Sequence, residues 1–302
     1  VMDWLRQQRS QVKFDQPKVF KHLHSILPYI HNKRVIKDQH ELALIQHAVN
    51  ASVSAHKHVM SICKPDISEA HLSGAFMGKI AEYDCVDVGY PNIVAAGDNA
   101  CCLHYDICRD IARDGQMLLL DAGADYRYYT ADITRTYPVN GQFSAAQRDA
   151  YQLVLASIDA AIETVRPGAR WDAIYSTAMR VLAQGLLDMK LLSGSLEQAL
   201  ETEAYKPFTL HKTGHWMGLD VHDVGAYQDS KGDWLSLQPN MVFTIEPGLY
   251  FPAHRDDIPD AFKGMGVRIE DDILVTDDGH QNLSKGAPRN IRDLEAIIGS
   301  AC

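Results

Sequence analysis

The densest grouping of chemistry-bearing side chains is His211-Lys212-Thr213-Gly214-His215-Trp216-Met217-Gly218-Leu219-Asp220-Val221-His222-Asp223-Val224-Gly225, with three histidines and three glycines in fifteen residues. Packing does not explain such a run, because buried imidazoles need hydrogen-bond partners and glycines weaken regular elements. A ligand loop does explain it. The second grouping is acidic. Asp121 ends the apolar run Met117-Leu118-Leu119-Leu120 and precedes Ala122-Gly123, and Glu246 ends Phe243-Thr244-Ile245 and precedes Pro247-Gly248. A further acid follows each: Asp132 in the stretch Tyr129 to Val139, and Glu270 in the stretch Val267 to Val275. Any one of these acids alone could cap a turn or face solvent. Gathered around one centre, four carboxylates would need raised pKa values or a compensating cation. Two divalent cations match their charge. Oxygen-rich ligands with one imidazole suit manganese, cobalt or zinc rather than a thiolate-type site. Cys101, Cys102, His104 and Cys108 could gather a soft metal instead, but they lack the paired ligands on a tight turn that such sites use. Free cysteine also serves as a small buried hydrophobe.

For the acids to meet, the chain must repeat itself. A long helix starts at Asp38, with Glu41 in capping-box spacing and Leu42, Ile45, Val49, Val53 and Met60 on one stripe, and Lys64-Pro65 ends it. A second helix starts near Ser68 and buries Leu72, Phe76, Ile80 and Tyr83, with Gly74 and Gly78 expected to allow close packing. Strands are expected at 92–96, 117–120 and 129–139, and in the last of these Thr130, Asp132, Thr134 and Thr136 share a face. Ser144 and Gln147 open the next helix, Pro167-Gly168 ends it, and Trp171 to Leu182 defines its successor. A polar helical stretch from Ser195 leads back to strands at 241–245 and 267–275. The order helix, helix, strands therefore occurs twice, which predicts two related halves with two acidic strands each.

Composition narrows the partners. The chain has 302 residues, 46% of them hydrophobic, enough for a substantial core. With 29 basic and 39 acidic residues the formal net charge is −10, which excludes a broad basic surface for nucleic acid or anionic lipid and leaves a small molecule or peptide. No apolar run approaches the roughly 20 residues needed to cross a bilayer, and Val1 to Ser10 has no signal-peptide core. Six cysteines without a C-x-x-C pair read as reduced thiols, so the expected location is cytoplasmic.

The histidine-rich run, Thr-Ile-Glu-Pro-Gly-Leu-Tyr at 244–250 and Gly266-Val267-Arg268-Ile269-Glu270-Asp271-Asp272 resemble the motifs of the pita-bread metallopeptidases. His215-Trp216 and the phrase Gly-Leu-Asp-Val-His-Asp-Val-Gly resemble the aminopeptidase P branch most. The resemblance runs from about residue 34 to the C-terminus. It implies an α+β fold: a curved antiparallel sheet flanked by helices, with an internal pseudo-twofold repeat and metals in the concave face. It also implies two divalent ions, manganese first with cobalt or zinc as alternatives, held by Asp121, Asp132, His215, Glu246 and Glu270. The same resemblance makes Glu246 the proton shuttle and places His104, His211 and His222 on the substrate side. Arg268 lies two residues before Glu270 in an expected strand, so both side chains should share a face, with a supporting ion pair there or a surface salt bridge as the alternative.

The implied activity is release of the first residue from peptides with proline in second position, X-Pro-Y, by a homo-oligomer in the full-length form. Two features depart from the aminopeptidase P pattern. His104 is followed by Tyr105-Asp106-Ile107-Cys108-Arg109 in place of a short polar turn with Asn. Residues 1–36 read as a linker following an absent amino-terminal domain, leaving 37–302 as the catalytic domain. Two rival readings are a prolidase cleaving X-Pro dipeptides and a non-catalytic binding module that keeps the fold.

Overall fold

Asp38 starts the first long helix because its side chain accepts the backbone N–H groups of His40 and Glu41, while Glu41 reaches back to the Asp38 N–H. A computed structural model describes residues 26–301. Of the segment read as a linker, residues 1–25 lie outside the described residues. Leu27–Val35 form α1, followed by α2 (Gln39–Ile62) and α3 (Glu69–Ala81), which pack against each other. Of the stripe expected on α2, Ile45, Val49 and Met60 are buried and Leu42 and Val53 half-buried; on α3 Leu72, Phe76 and Ile80 are buried, while Tyr83 lies past the helix end and is half-buried. Gly74 and Gly78 do not serve packing, contrary to expectation: a Cβ at either would meet nothing within 4 Å.

The strands then run β1 (Asp87–Val88), β2 (Ile93–Ala96), β3 (Met117–Asp121), β4 (Ala124–Tyr126), β5 (Tyr129–Thr130) and β6 (Thr134–Pro138). Three helices follow, α4 (Ala145–Ile162), α5 (Trp171–Asp188) and α6 (Leu196–Glu201). Ser144 and Gln147 form the expected capping box at the start of α4, and Ser195 caps α6. The second set of strands is β7 (Val242–Ile245), β8 (Gly248–Phe251), β9 (Met265–Arg268), β10 (Asp271–Val275) and β11 (His280–Asn282), before a closing helix α7 (Ile291–Ile297).

The repeat is written in the pairing. In the first half β3 pairs antiparallel with β6, Asp121 opposite Thr134, and β4 pairs with β5. In the second half β7 pairs antiparallel with β10, Ile245 opposite Asp271, and β8 pairs with β9. The expected continuous strands 129–139 and 267–275 are both interrupted, the first at 131–133 and the second at 269–270. The reason is competition for backbone donors. The Asp132 N–H goes to the Asp272 carboxylate at 3.2 Å, and the Glu270 N–H crosses to the Thr134 carbonyl at 3.1 Å. Each acid thus falls at a strand end or break, where its side chain is not committed to a pleated face. Thr136 ties the halves together, donating to the Arg268 carbonyl at 2.8 Å and accepting its N–H at 3.1 Å. Mixed helices and antiparallel sheets in two related halves are what the resemblance to the pita-bread family implies. No helix among the described residues is long and apolar enough to cross a membrane.

Candidate metal centre and catalytic site

His215 lies on the loop between α6 and β7, and its backbone is stitched to β7. The Thr244 N–H donates to the His215 carbonyl at 2.9 Å, and the His215 N–H donates to Thr244 Oγ1 at 3.2 Å. Gly214 permits this approach, since a Cβ there would sit 2.2 Å from the Thr244 carbonyl oxygen. His215 Nδ1 faces the Trp216 carbonyl at 3.1 Å, which assigns it the proton and turns Nε2 toward Asp132 (3.4 Å) and Glu246 (3.6 Å). Burial would lower the pKa of this imidazole, but the bond to Asp132 and the charges of Asp132 and Glu246 overturn that and raise it to about 9.

Around His215 the acids close in. Asp132, His215 and Glu270 each offer a ligand atom, all within 4.8 Å of one another. The Tyr90 hydroxyl is 2.5 Å from an oxygen of Asp121 and 2.5 Å from an oxygen of Asp132. Arg268 donates to the other Asp121 oxygen at 2.5 Å and to the Tyr250 hydroxyl at 2.8 Å. Thr134 Oγ1 donates to Glu270 at 2.6 Å. The ion pair expected of Arg268 is therefore made across the halves with Asp121, and Arg268 and Glu270 are not on one continuous strand face as expected. Burial first, and then neighbouring acids, hold the carboxyl of Glu270 well above its ordinary range, and burial, against the opposing charges of His215 and Arg268, holds that of Glu246 up to about 7.

Divalent cations fit this donor set. Among the described residues Arg268 is the one permanently charged cation in contact with the four carboxylates, which leaves most of their charge uncompensated. Tyr90 has one proton for two carboxylate oxygens, so it cannot satisfy both as a donor. Close by, Asp272 is fully buried, and its Oδ1 has no hydrogen-bond partner among the described residues.

The three substrate-side histidines expected from the sequence face the same space. His211 is 2.7 Å from the Tyr250 hydroxyl and 3.4 Å from Glu246, and burial, then Arg268, lowers its pKa to about 4. The His222 ring stands edge-on to that of His215, centroids 4.2 Å apart. His104 is exposed at the rim. Asp121, Asp132, His215, Glu246, Glu270, His104, His211, His222 and Arg268 all line one cavity of about 1470 Å³. Cys101, Cys102 and Cys108 are free thiols outside the metal-type group, and the Cys108 Sγ lies 3.4 Å from the Asn92 carbonyl.

Residues 43–277 match the model of metallopeptidase family M24. The chain belongs to that family. Among M24 relatives, the Xaa-Pro aminopeptidase of Escherichia coli strain K12 is 37% identical over 274 residues, covering 91% of this chain and 62% of its own. The structure of Pseudomonas aeruginosa aminopeptidase PepP superposes with a TM-score of 0.91 at 36% identity, covering 99% of this chain and 67% of that one. An Escherichia coli aminopeptidase P variant in complex with substrate gives a TM-score of 0.88 at 36% identity, covering 92% and 62%. The chain thus spans under two thirds of the length of the curated M24 relative.

Sequence reading assigned no role to Tyr90, Tyr250 or Asp272. Tyr250 and Asp272 stand inside motifs already singled out, so position in the motif could have flagged them. Tyr90 precedes Pro91 in a turn and carries no comparable mark.

Proposed function

We propose that this M24 chain is a metallo-exopeptidase that releases the first residue of X-Pro-Y peptides, with two divalent cations, manganese first, held by Asp121, Asp132, His215, Glu246 and Glu270. The observation that carries the reading is the convergence of these five residues and three histidines on one cavity. The names of the relatives, all Xaa-Pro or proline aminopeptidases or aminopeptidase P, support the bond cleaved. When bound, the cations supply polarisation of the scissile carbonyl and lower the pKa of the attacking water. Glu246 takes the proton from that water and passes it to the leaving proline nitrogen. His222 makes no side-chain hydrogen bond among the described residues, so its ring nitrogens are available to the substrate carbonyl. His211, fixed by Tyr250, does not have that freedom and instead shapes the wall beside Glu246. His104 supplies a second donor from the rim.

The same reading makes the full-length form a homo-oligomer, assigns residues 37–302 to catalysis and places the protein in the cytoplasm, where the five described cysteines stay free. Metal removal tests it. Exhaustive chelation is expected to abolish X-Pro-Y cleavage, and manganese, cobalt or zinc to restore it to different extents. Full activity after chelation would sink the two-metal mechanism.

A further inference from the structure

Among the described residues the His222 side chain has no hydrogen-bond partner, yet its placement against His215 is close and edge-on. Its position must come from the backbone of residues 218–225, which contains no helix or strand. The Thr130 N–H donates to the Gly218 carbonyl at 3.0 Å at the start of that stretch, and the part next to His222 is held by Asp223. Its N–H donates to the Trp216 carbonyl at 2.8 Å, and its carboxylate, almost fully buried, accepts the Val224 N–H at 2.7 Å. The cations that meet this carboxylate come from the far end of the sequence. Arg34 lies 2.5 Å from one oxygen of Asp223 and 2.6 Å from Asp220, and the Lys37 ammonium, 1% exposed, lies 3.6 Å from the other oxygen of Asp223.

The segment bearing Arg34 and Lys37 is itself bolted down. Ile36 bridges Met241, and the Lys37 N–H donates to the Asn240 carbonyl at 2.9 Å, just before β7 runs to Glu246. Lys37 also donates to the Arg34 carbonyl at 2.7 Å, closing the end of α1. Gly225 lets the loop lie directly on this segment, since a Cβ there would fall 2.6 Å from Val35 and 2.7 Å from Trp216. A buried carboxylate between two cations is fixed in place because any movement leaves charge unpaired.

We propose that Arg34 and Lys37 are positioning residues for His222, acting through the buried carboxylate of Asp223. The segment at residues 34–37 is then part of the catalytic apparatus, and a displacement of α1 reaches the site through one ion-pair cluster. The inference rests on the reading of His222 as a substrate-side group. It adds to that reading what sets the geometry of the group.

The test uses the full chain and the substitutions Arg34→Met, Arg34→Lys, His222→Ala and the double variant Arg34→Met with His222→Ala. Arg34→Met keeps the aliphatic stem and leaves Lys37 to accompany Asp223. Amide exchange in peptides spanning 218–225 should quicken in Arg34→Met and stay near wild type in Arg34→Lys. With metal content unchanged, kcat on an X-Pro-Y tripeptide should fall about tenfold in Arg34→Met while KM holds, because a displaced donor is felt in the transition state. Arg34→Lys should recover most of that loss. In the His222→Ala background Arg34→Met should add less than about twofold, since the two act as a unit. Unchanged exchange in the loop overturns the proposal, as does a tenfold loss that persists without His222. A wild-type chain that cleaves no such peptide with any metal counts against the peptidase reading alone, and the exchange measurement then decides the clamp by itself.

Discussion

Glu270 and His222 line the same cavity but answer differently to substitution. The Glu270 carboxylate is buried among acids and is proposed to neutralise cation charge, so Glu270→Gln is expected to lower metal content together with rate. Asp132→Asn should behave alike, since Asp132 shares the ligand group. His222 lines the cavity without a hydrogen-bond partner among the described residues, and His222→Ala is expected to retain metal and lose turnover on the order of a hundredfold, as for a donor acting on the transition state. Metal analysis beside the kinetics separates the two roles. Loss of metal in His222→Ala would make that residue a ligand, and full metal in Glu270→Gln would remove Glu270 from the ligand set.

At the scale of the elements, α2 is fastened to the first half of the site through His56. Its Nε2 donates to the Ala122 carbonyl at 3.0 Å, at the break that follows Asp121, while Nδ1 is buried without a hydrogen-bond partner among the described residues. Burial therefore holds the imidazole neutral, lowering its pKa from 6.5 to about 4. The folded value lies below the unfolded one, so between pH 6.5 and 4 the unfolded chain binds the proton more readily. This contribution to stability is complete above pH 6.5, is lost as the pH falls toward 4 and amounts to at most about 3 kcal/mol. Melting curves across that range should show wild type losing more stability than His56→Leu, which carries no titrating group. Parallel losses in the two proteins would contradict a neutral buried imidazole.

The helices were legible because their information is local. Asp38 with Glu41 and Ser144 with Gln147 announce their own starts within four residues, and the structure has both capping boxes. The acids were legible because the repeat doubles each signal. The breaks beside Asp132 and Glu270 were not, since they depend on backbone donors finding Asp272 and Thr134 more than a hundred positions away. The partner of Arg268 was hidden in the same way: along the chain it points to Glu270, but folding delivers it to Asp121. Gly74 and Gly78 matched a packing pattern that nothing in the fold uses. The ends of the clamp at Arg34 and Asp223 likewise give no local sign of each other.

For the whole molecule, the two halves matter more than either alone, because each contributes two acids and neither can build the site without the other. The cavity they line measures about 1470 Å³. Proline in second position has no N–H to satisfy and a fixed backbone angle, so a shaped pocket can select it without accepting a donor there. The most direct test is the ratio kcat/KM for matched X-Pro-Y, X-Pro and X-Ala-Y substrates, measured on the manganese-loaded chain. The account predicts that X-Pro-Y gives the highest ratio, with both controls poor. A higher ratio for the X-Pro dipeptide would contradict it and make the enzyme a prolidase, and no cleavage of any of the three would make the chain a binding module.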